Sequence, residues 1–392
     1  MSVLAVALLA GGLIGALARP GNVPAWALPL GAALVAIATR VVDGTQLHDV
    51  LRPLAAPLAF VLVAVPLAAS LDHVGVFGEL AALAARSRHV VGSLWVLAAL
   101  VVALLNLDAA VVLLTPLYIR TALLVDVDPV ALAFQPVLLA SLASSVLVVS
   151  NLTNLLAASH LSLQNSDFLR HLALPSLAAS AVGWFAYRRV FRIRARADRR
   201  VDRRALDRHA LDRHALVWGL GAIVLFLALL LGGEPFGVPA WAAALATEVV
   251  LIAATRQIPW RQVPVGTAVL AAALAVLAAG VAGALPRAFT SLGAGGARGF
   301  VGGVVSANAL NNLPAISVGL TRVSAPARVW PLLLGVNLGP LLLLTGSLAG
   351  LLWQASARRA GVEVDARRYT RVGAAVGLPA MAAAALVLRL AG

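Results

Sequence analysis

The chain contains no cysteine and no lysine, and methionine occurs only at Met1 and Met381. Without cysteine there are no disulfides, no thiolate metal sites and no soft sulfur ligands. Redox chemistry across a membrane has no obvious ligands, and no cofactor or metal is expected. Charge is scarce as well. Asp, Glu, Lys and Arg make up 12% of the residues, about half the share of a soluble domain. From Ala131 to Ser166 there is none at all. The formal net charge of +14 rests on 30 basic residues, all arginine. In a soluble chain that excess would suggest nucleic acid. In this composition it reports membrane topology, and no nucleic-acid partner is expected.

What remains is hydrocarbon. Hydrophobic residues make up 61% of the 392, and mean hydropathy is +0.95. Apolar runs of about 20 residues, each long enough to cross a bilayer, recur along the chain. The composition predicts an all-α polytopic protein of a bacterial-type plasma (inner) membrane, with the lipid bilayer as its first partner. Spans are predicted at 2–18, 24–40, 51–72, 130–159, 167–187, 215–232, 238–255, 263–285, 329–353 and 372–390. Two further apolar segments, 89–124 and 299–320, break in the middle and read as hairpins that enter and return on one side. The opening stretch MSVLAVALLAGGLIGALARPG lacks the basic region of a signal peptide and reads as the first membrane helix.

Arginine placement predicts orientation, because positive loops stay in the cytoplasm. The segment 188–214 holds eleven Arg and four Asp. With it inside, 22 of the 30 Arg fall on the cytoplasmic side, and both termini on the external side. Its near-repeat ALDRHALDRHAL is expected to be a solvated linker helix. A docking site for a soluble partner is the alternative.

A duplication organises the rest. NVPAWALPLGAALVAIATR (22–40) returns as GVPAWAAALATEVVLIAATR (237–256). Each copy follows an apolar helix and precedes a third span and a broken hairpin. An odd number of crossings separates them, so the copies point in opposite directions. That is an inverted-topology repeat, the architecture of carriers that bind substrate near the midplane. The repeats are 1–187 and 215–392, joined by the basic linker 188–214. Scaffold helices run to about 88 and about 298, and a hairpin and broken helix fill 89–187 and 299–392.

Four stretches look broken: LLNLDAAVVLLTP (104–116), VSNLTNL (149–155), VSANALNNLP (305–314) and GVNLGPLLLLTGS (335–347). In hydrocarbon a helix can break only where protein or trapped water pairs the freed backbone groups. Asn and Ser favour such breaks, and Gly339–Pro340 makes one directly. Breaks expose half-helix ends with partial charges. Four converging ends would make a polar chamber for a small solute or ion. Under the repeat Asp108 falls roughly opposite Asn311, and Asn151 opposite Asn337.

Asp108 stands out. A carboxylate at mid-membrane costs roughly 2.5–3.5 kcal/mol, so function is the default reading. It is suited to taking up and releasing a proton as its surroundings alternate. A bland alternative is a cap on the hairpin tip. Glu248 lies in the scaffold, where a structural role is expected. His160 and His171 flank the span 130–159 and read as loop residues. Asn151-Leu152-Thr153 is a formal glycosylation triplet, but within a span that is coincidence. A single Asn in a helix bundle is often interhelical glue worth about 0.6 kcal/mol. Four matched motifs favour a site.

At LDHVGVFGELAALAARS, NLDAAVVLLTP, VVSNLTN, ALNNLPAISVG and NLGPLLLLTGSLAGLLW, followed by RRYTRVG, the sequence resembles the ArsB arsenite/antimonite efflux carriers of the ion transporter superfamily. That superfamily includes sodium–dicarboxylate carriers. The resemblance implies an elevator-type transporter with two re-entrant hairpins and two broken transmembrane helices beside a fixed scaffold. It also implies export of trivalent arsenic or antimony hydroxide in exchange for protons. A homodimer is expected, and a cytoplasmic soluble ATPase is a candidate partner. Carried over by motif, Asn106 and Asp108 lie at the first tip, and Ser150, Asn151, Thr153 and Asn154 at the first break. Asn311 and Asn312 form the second tip, with Asn337 and Gly339 at the second break. Asp108 would couple protons and the others bind substrate.

The family usually has Asp where this chain has Asn337, and Lys where it has Leu341. The pair's loss leaves the coupling ion open between proton and sodium. It leaves the solute open too: a carboxylate symporter or a sodium–proton antiporter of the same fold are alternatives. An enzyme would need a catalytic acid pair, a Ser–His pair or a metal cluster, and one lone Asp108 does not supply it.

Overall fold

The computed structural model describes residues 2–18, 23–192, 211–281, 292–323 and 325–391. Most of the basic linker 188–214 lies outside them. The described residues form α-helices joined by short turns, with no strand among them.

The first half opens with α1 (Ser2–Ala18), α2 (Ala27–Ala38) and α3 (Gly44–Val74). It continues with α4 (Val76–Arg86), α5 (Val90–Leu104), α6 (Leu107–Leu124), α7 (Pro129–Leu142), α8 (Leu152–Leu161) and α9 (Asn165–Val190). The second half runs α10 (Arg213–Gly232), α11 (Ala240–Thr255), α12 (Val265–Val281), α13 (Gly296–Leu310), α14 (Asn312–Leu320), α15 (Val329–Leu338), α16 (Leu348–Arg359) and α17 (Ala366–Ala391). The order recurs: three helices, a pair meeting at a one- or two-residue tip, a helix interrupted by 3-10 turns, and a long closing helix. The short α4 has no counterpart among the described residues. It was not among the expected spans, because eleven residues cannot cross a membrane.

Two groups of helices follow. In one, α1, α2 and α12 pack together, and α3 packs against α11. In the other the halves interlock. The second arm of each tip lies against the second part of the opposite half's broken helix, α6 on α16 and α14 on α8, while α9 packs along α17. Small residues allow close crossings. A Cβ on Gly303 of α13 would lie 2.6 Å from the Leu332 carbonyl of α15. Leu341 is fully buried where Gly373 and Gly377 of α17 make room for it.

Proline inside a helix frees the carbonyl four residues earlier, and in an apolar bundle that carbonyl needs a donor. Pro57 in α3 frees Pro53, whose oxygen accepts from Ser159 Oγ at 2.8 Å. Pro116 in α6 frees Val112, whose oxygen accepts from Ser356 Oγ at 3.2 Å. Thus α8 and α16 each donate a serine hydroxyl to a proline-containing helix. The start of α3 is fixed by a capping box, Asp43 Oδ1 accepting from Gln46 N and Gln46 Oε1 from Asp43 N. The cap sets the start at Gly44, before the span expected from 51.

Candidate functional site

Four helices begin inside the bundle, each with a side chain over its own first turn. Asn106 Oδ1 accepts from Asp108 N at 2.9 Å, and Asn151 Oδ1 from Thr153 N at 3.2 Å. Asn311 Oδ1 accepts from Leu313 N at 3.3 Å, and Ser347 Oγ from Gly350 N at 3.4 Å. Only side chains that accept at this distance do this, which is why Asn and Ser stand at helix starts. The geometry revises the expected pairing of the halves. The tip residue matching Asn106 is Asn311, and the start of α8 at Asn151 matches the start of α16 at Ser347. Their backbones agree, with φ −148° and ψ 141° at Asn151 and φ −146° and ψ 160° at Ser347.

Asn151 and Asn337 are not counterparts but partners. Asn151 Nδ2 donates to Asn337 Oδ1 at 3.1 Å, and Thr153 Oγ1 donates to the same oxygen at 2.5 Å. Asn337 Nδ2 donates to Ser145 Oγ at 2.9 Å and to Asn154 Oδ1 at 2.8 Å. Asn154 Nδ2 then closes on the free carbonyls of Ser144 and Leu147, both at 2.8 Å. All these side chains are buried. One amide from the second half therefore fills the gap in the first half's broken helix. Ser150 Oγ donates to Ala103 O in α5 at 2.5 Å, tying the break to the first tip.

Beside this knot lies a cavity of about 10 Å³, room for about one water. Its wall includes Leu107, Asn151, Asn312 and Ser347, one residue from each of the four helix starts. Asn337, Ser141, Pro340 and Tyr369 complete its polar side, and Val137, Ala140 and Ala349 its apolar side. Tyr369 OH donates to Pro340 O at 3.0 Å. Among the described residues no cationic or anionic side chain lines it. The electrostatics come from helix N-termini, each equivalent to about half a positive charge before capping and screening.

Of the expected site residues, Asn151, Asn312 and Asn337 line the cavity. Ser150, Thr153 and Asn154 stand behind it in hydrogen bonds to the protein. Asn311 Nδ2 donates to Thr345 O at 3.1 Å and holds the second tip against the 3-10 turn 344–346. Gly339 offers its carbonyl to Asn308 Nδ2 at 2.8 Å. Asn106 is buried, and its Nδ2 has no hydrogen-bond partner among the described residues. Asp108 follows Leu107 in the first turn of α6, half-buried, with no side-chain hydrogen bond or ion pair among the described residues.

Ser141, Ser144, Ser145, Asn308, Ser347 and Tyr369 were not anticipated. The first three precede the quoted motif in a run that reads as continuous helix. Ser347 hides at the end of an apolar stretch, and only the match with Asn151 gives it meaning. Glu248, in α11, meets α3, with Ser70 Oγ donating to its Oε1 at 2.8 Å. His160 and His171 are on helices rather than loops. His171 stacks on Trp330 with ring centroids 4.4 Å apart.

The model of the citrate transporter family CitMHS matches residues 3–350. The chain belongs to that family, and it is a multi-pass secondary transporter rather than an enzyme. The match selects no arsenite carrier. No curated protein matches the chain significantly.

Proposed function

We propose that this member of the citrate transporter family moves a small polycarboxylate across the membrane together with protons, through the cavity between the two tips and the two breaks. The observation that carries the reading is the meeting of four helix N-termini at one water-sized space. Helix starts point N–H groups and partial positive charge at whatever sits before them, which suits a carboxylate. Asn151, Asn312 and Ser347 add neutral polar contacts, and weak contacts suit a carrier that must release its cargo.

Asp108 follows the wall residue Leu107, so a carboxylate in the cavity has a second negative charge close behind the wall, and no cationic side chain among the described residues lines the wall to offset it. Like charges oppose joint ionisation. Loading therefore favours a protonated Asp108, so proton and cargo travel in the same direction. The cavity is far too small for a tricarboxylate, so cargo enters when Asn106 and Asn311 move away from the breaks. Those movements belong to an elevator-type cycle of two inverted repeats, with the arginine-rich linker on the cytoplasmic side. The scaffold group, α1 to α3 with α10 to α12, would stay fixed and form a homodimer.

The second reading is proton-exchanged export of arsenite or antimonite, the latter two being uncharged trihydroxides near neutral pH. The wholly neutral wall favours it, and no thiol is needed for weak binding. One experiment separates the two. Purified protein in proteoliposomes receives an inward proton gradient, and uptake of labelled citrate, smaller dicarboxylates and arsenite is compared. Carboxylate accumulation that collapses with a protonophore is expected. Arsenite flux without carboxylate flux would establish the second reading instead.

A further inference from the structure

We propose that a groove at one end of the scaffold, between α3 and the turn before α12, binds the phosphate of an anionic phospholipid headgroup. The groove is separate from the transport cavity and much larger, about 290 Å³. Ser70, His73, Thr255, Gln257, Trp260, Arg261 and Gln262 form its polar side.

Arg261 carries the argument. Its guanidinium lies over the Trp260 ring, 5.0 Å from the centroid. A cation–π contact of this kind restrains the guanidinium without using its N–H donors. Its N–H donors make no hydrogen bond among the described residues. The side-chain amides of Gln257 and Gln262 are likewise without hydrogen bonds there. A fixed fork flanked by uncommitted amides matches the oxygens of a phosphate. The nearby carboxylates do not line the groove. Glu248 Oε1 accepts a hydrogen bond from Ser70 Oγ at 2.8 Å, and neither Glu248 nor Asp72 is among the lining residues.

Position selects the source of the phosphate. Trp260 opens the apolar stretch Trp260–Val281, so the groove lies where a span meets water. Ile258 and Trp260 are each 67% exposed, as side chains that rest at the level of lipid headgroups would be. Basic pockets between spans at the cytoplasmic boundary are suited to anionic headgroups, and arginine placement puts Arg256 and Arg261 on that side. Free inorganic phosphate shares the recognition chemistry but gains nothing from the exposed indole and Ile258.

The test uses the full chain in nanodiscs of phosphatidylcholine with or without phosphatidylglycerol, read by native mass spectrometry of retained lipid and by thermal unfolding. Retention of phosphatidylglycerol over phosphatidylcholine is expected. Arg261→Gln should weaken it about tenfold or more, as loss of a charge-assisted pair does. Arg256→Gln removes a neighbouring charge that does not line the groove and should leave retention unchanged. Gln262→Glu, which places a carboxylate inside, should weaken it as Arg261→Gln does and serves if that variant folds poorly. Equal loss in the Arg256 and Arg261 variants would mean diffuse surface charge and overturn the site. Inorganic phosphate that displaces phosphatidylglycerol at similar concentration would overturn the lipid assignment, and absence of any lipid preference would overturn the whole proposal.

Discussion

The two hairpin tips use one backbone device for different chemistry. At the first, Asn106 ends the approach and accepts from Asp108 N, and at the second Asn311 accepts from Leu313 N. The position that holds a carboxylate at one tip holds hydrocarbon at the other. The next contrast runs the opposite way: the cavity receives Leu107 from the first tip and Asn312 from the second. Each tip thus supplies one chemical element, charge from the first and a polar wall from the second. The duplicated fold retains the caps because a break without them leaves backbone groups unpaired in hydrocarbon. The residues just after each cap differ between the tips, and under the proposed function that difference puts the proton site at the first tip.

The largest effect is expected from removing that asymmetry. Asp108→Asn should reduce proton-driven accumulation at least tenfold, measured as uptake into proteoliposomes under a pH gradient. Unfolding temperature should barely move, because the carboxylate has no hydrogen bond or ion pair among the described residues to lose. Unaltered proton-driven uptake would remove Asp108 from the mechanism. Adding Leu313→Asp to that variant asks whether the tips are interchangeable. No recovery is expected, since the two arms pack against different partners, α16 and α8.

The breaks offer the next test. Asn337 makes four hydrogen bonds into the first break, and Asn151 makes one to Asn337 and caps α8. Interhelical hydrogen bonds in membrane proteins average about 0.6 kcal/mol each, so Asn337→Ala should cost about 2 kcal/mol and Asn151→Ala about 1 kcal/mol. Denaturation in mixed micelles measures both. Equal losses would mean that the knot is not centred on Asn337. Asn337→Asp keeps an acceptor for Asn151 and Thr153 but turns a second acceptor towards Asn154 Oδ1, so it should behave more like Ala than like Asn.

Much of this was legible in the sequence. Breaks could be placed because Asn, Gly and Pro interrupt runs that have no other reason to carry polar atoms. Asp108 was visible because charge inside hydrocarbon is expensive. The correspondence between halves was not. Sequence spacing set Asn151 against Asn337 because both are amides near a break, whereas coordinates set Asn151 against Ser347, which share a backbone role and not a side chain. The partnership of Asn151 with Asn337 joins residues 186 apart in the chain, and no local pattern encodes it. Nor did periodicity mark Ser159 and Ser356, whose purpose depends on prolines in other helices. Local chemistry shows where a helix must stop, and only packing shows what the freed groups then meet.

The smallest expected difference lies in the tips themselves. Asn311 has φ 74° and ψ 154°, whereas Asn106 has φ 165° and ψ 144°. The first combination is reached almost only by glycine, and other residues held there carry about 1–3 kcal/mol of strain. The second is extended backbone open to any residue. Glycine at either tip loses a cap, which costs only a few tenths of a kcal/mol when glycine is the replacement. At 311 it also loses the bond to Thr345 O but relieves the strain. Asn311→Gly should therefore keep nearly the native stability, while Asn106→Gly gains nothing and loses about 1 kcal/mol, read as a lower unfolding temperature. Equal responses would mean that Asn311 carries no strain and that the tips differ in their neighbouring side chains alone.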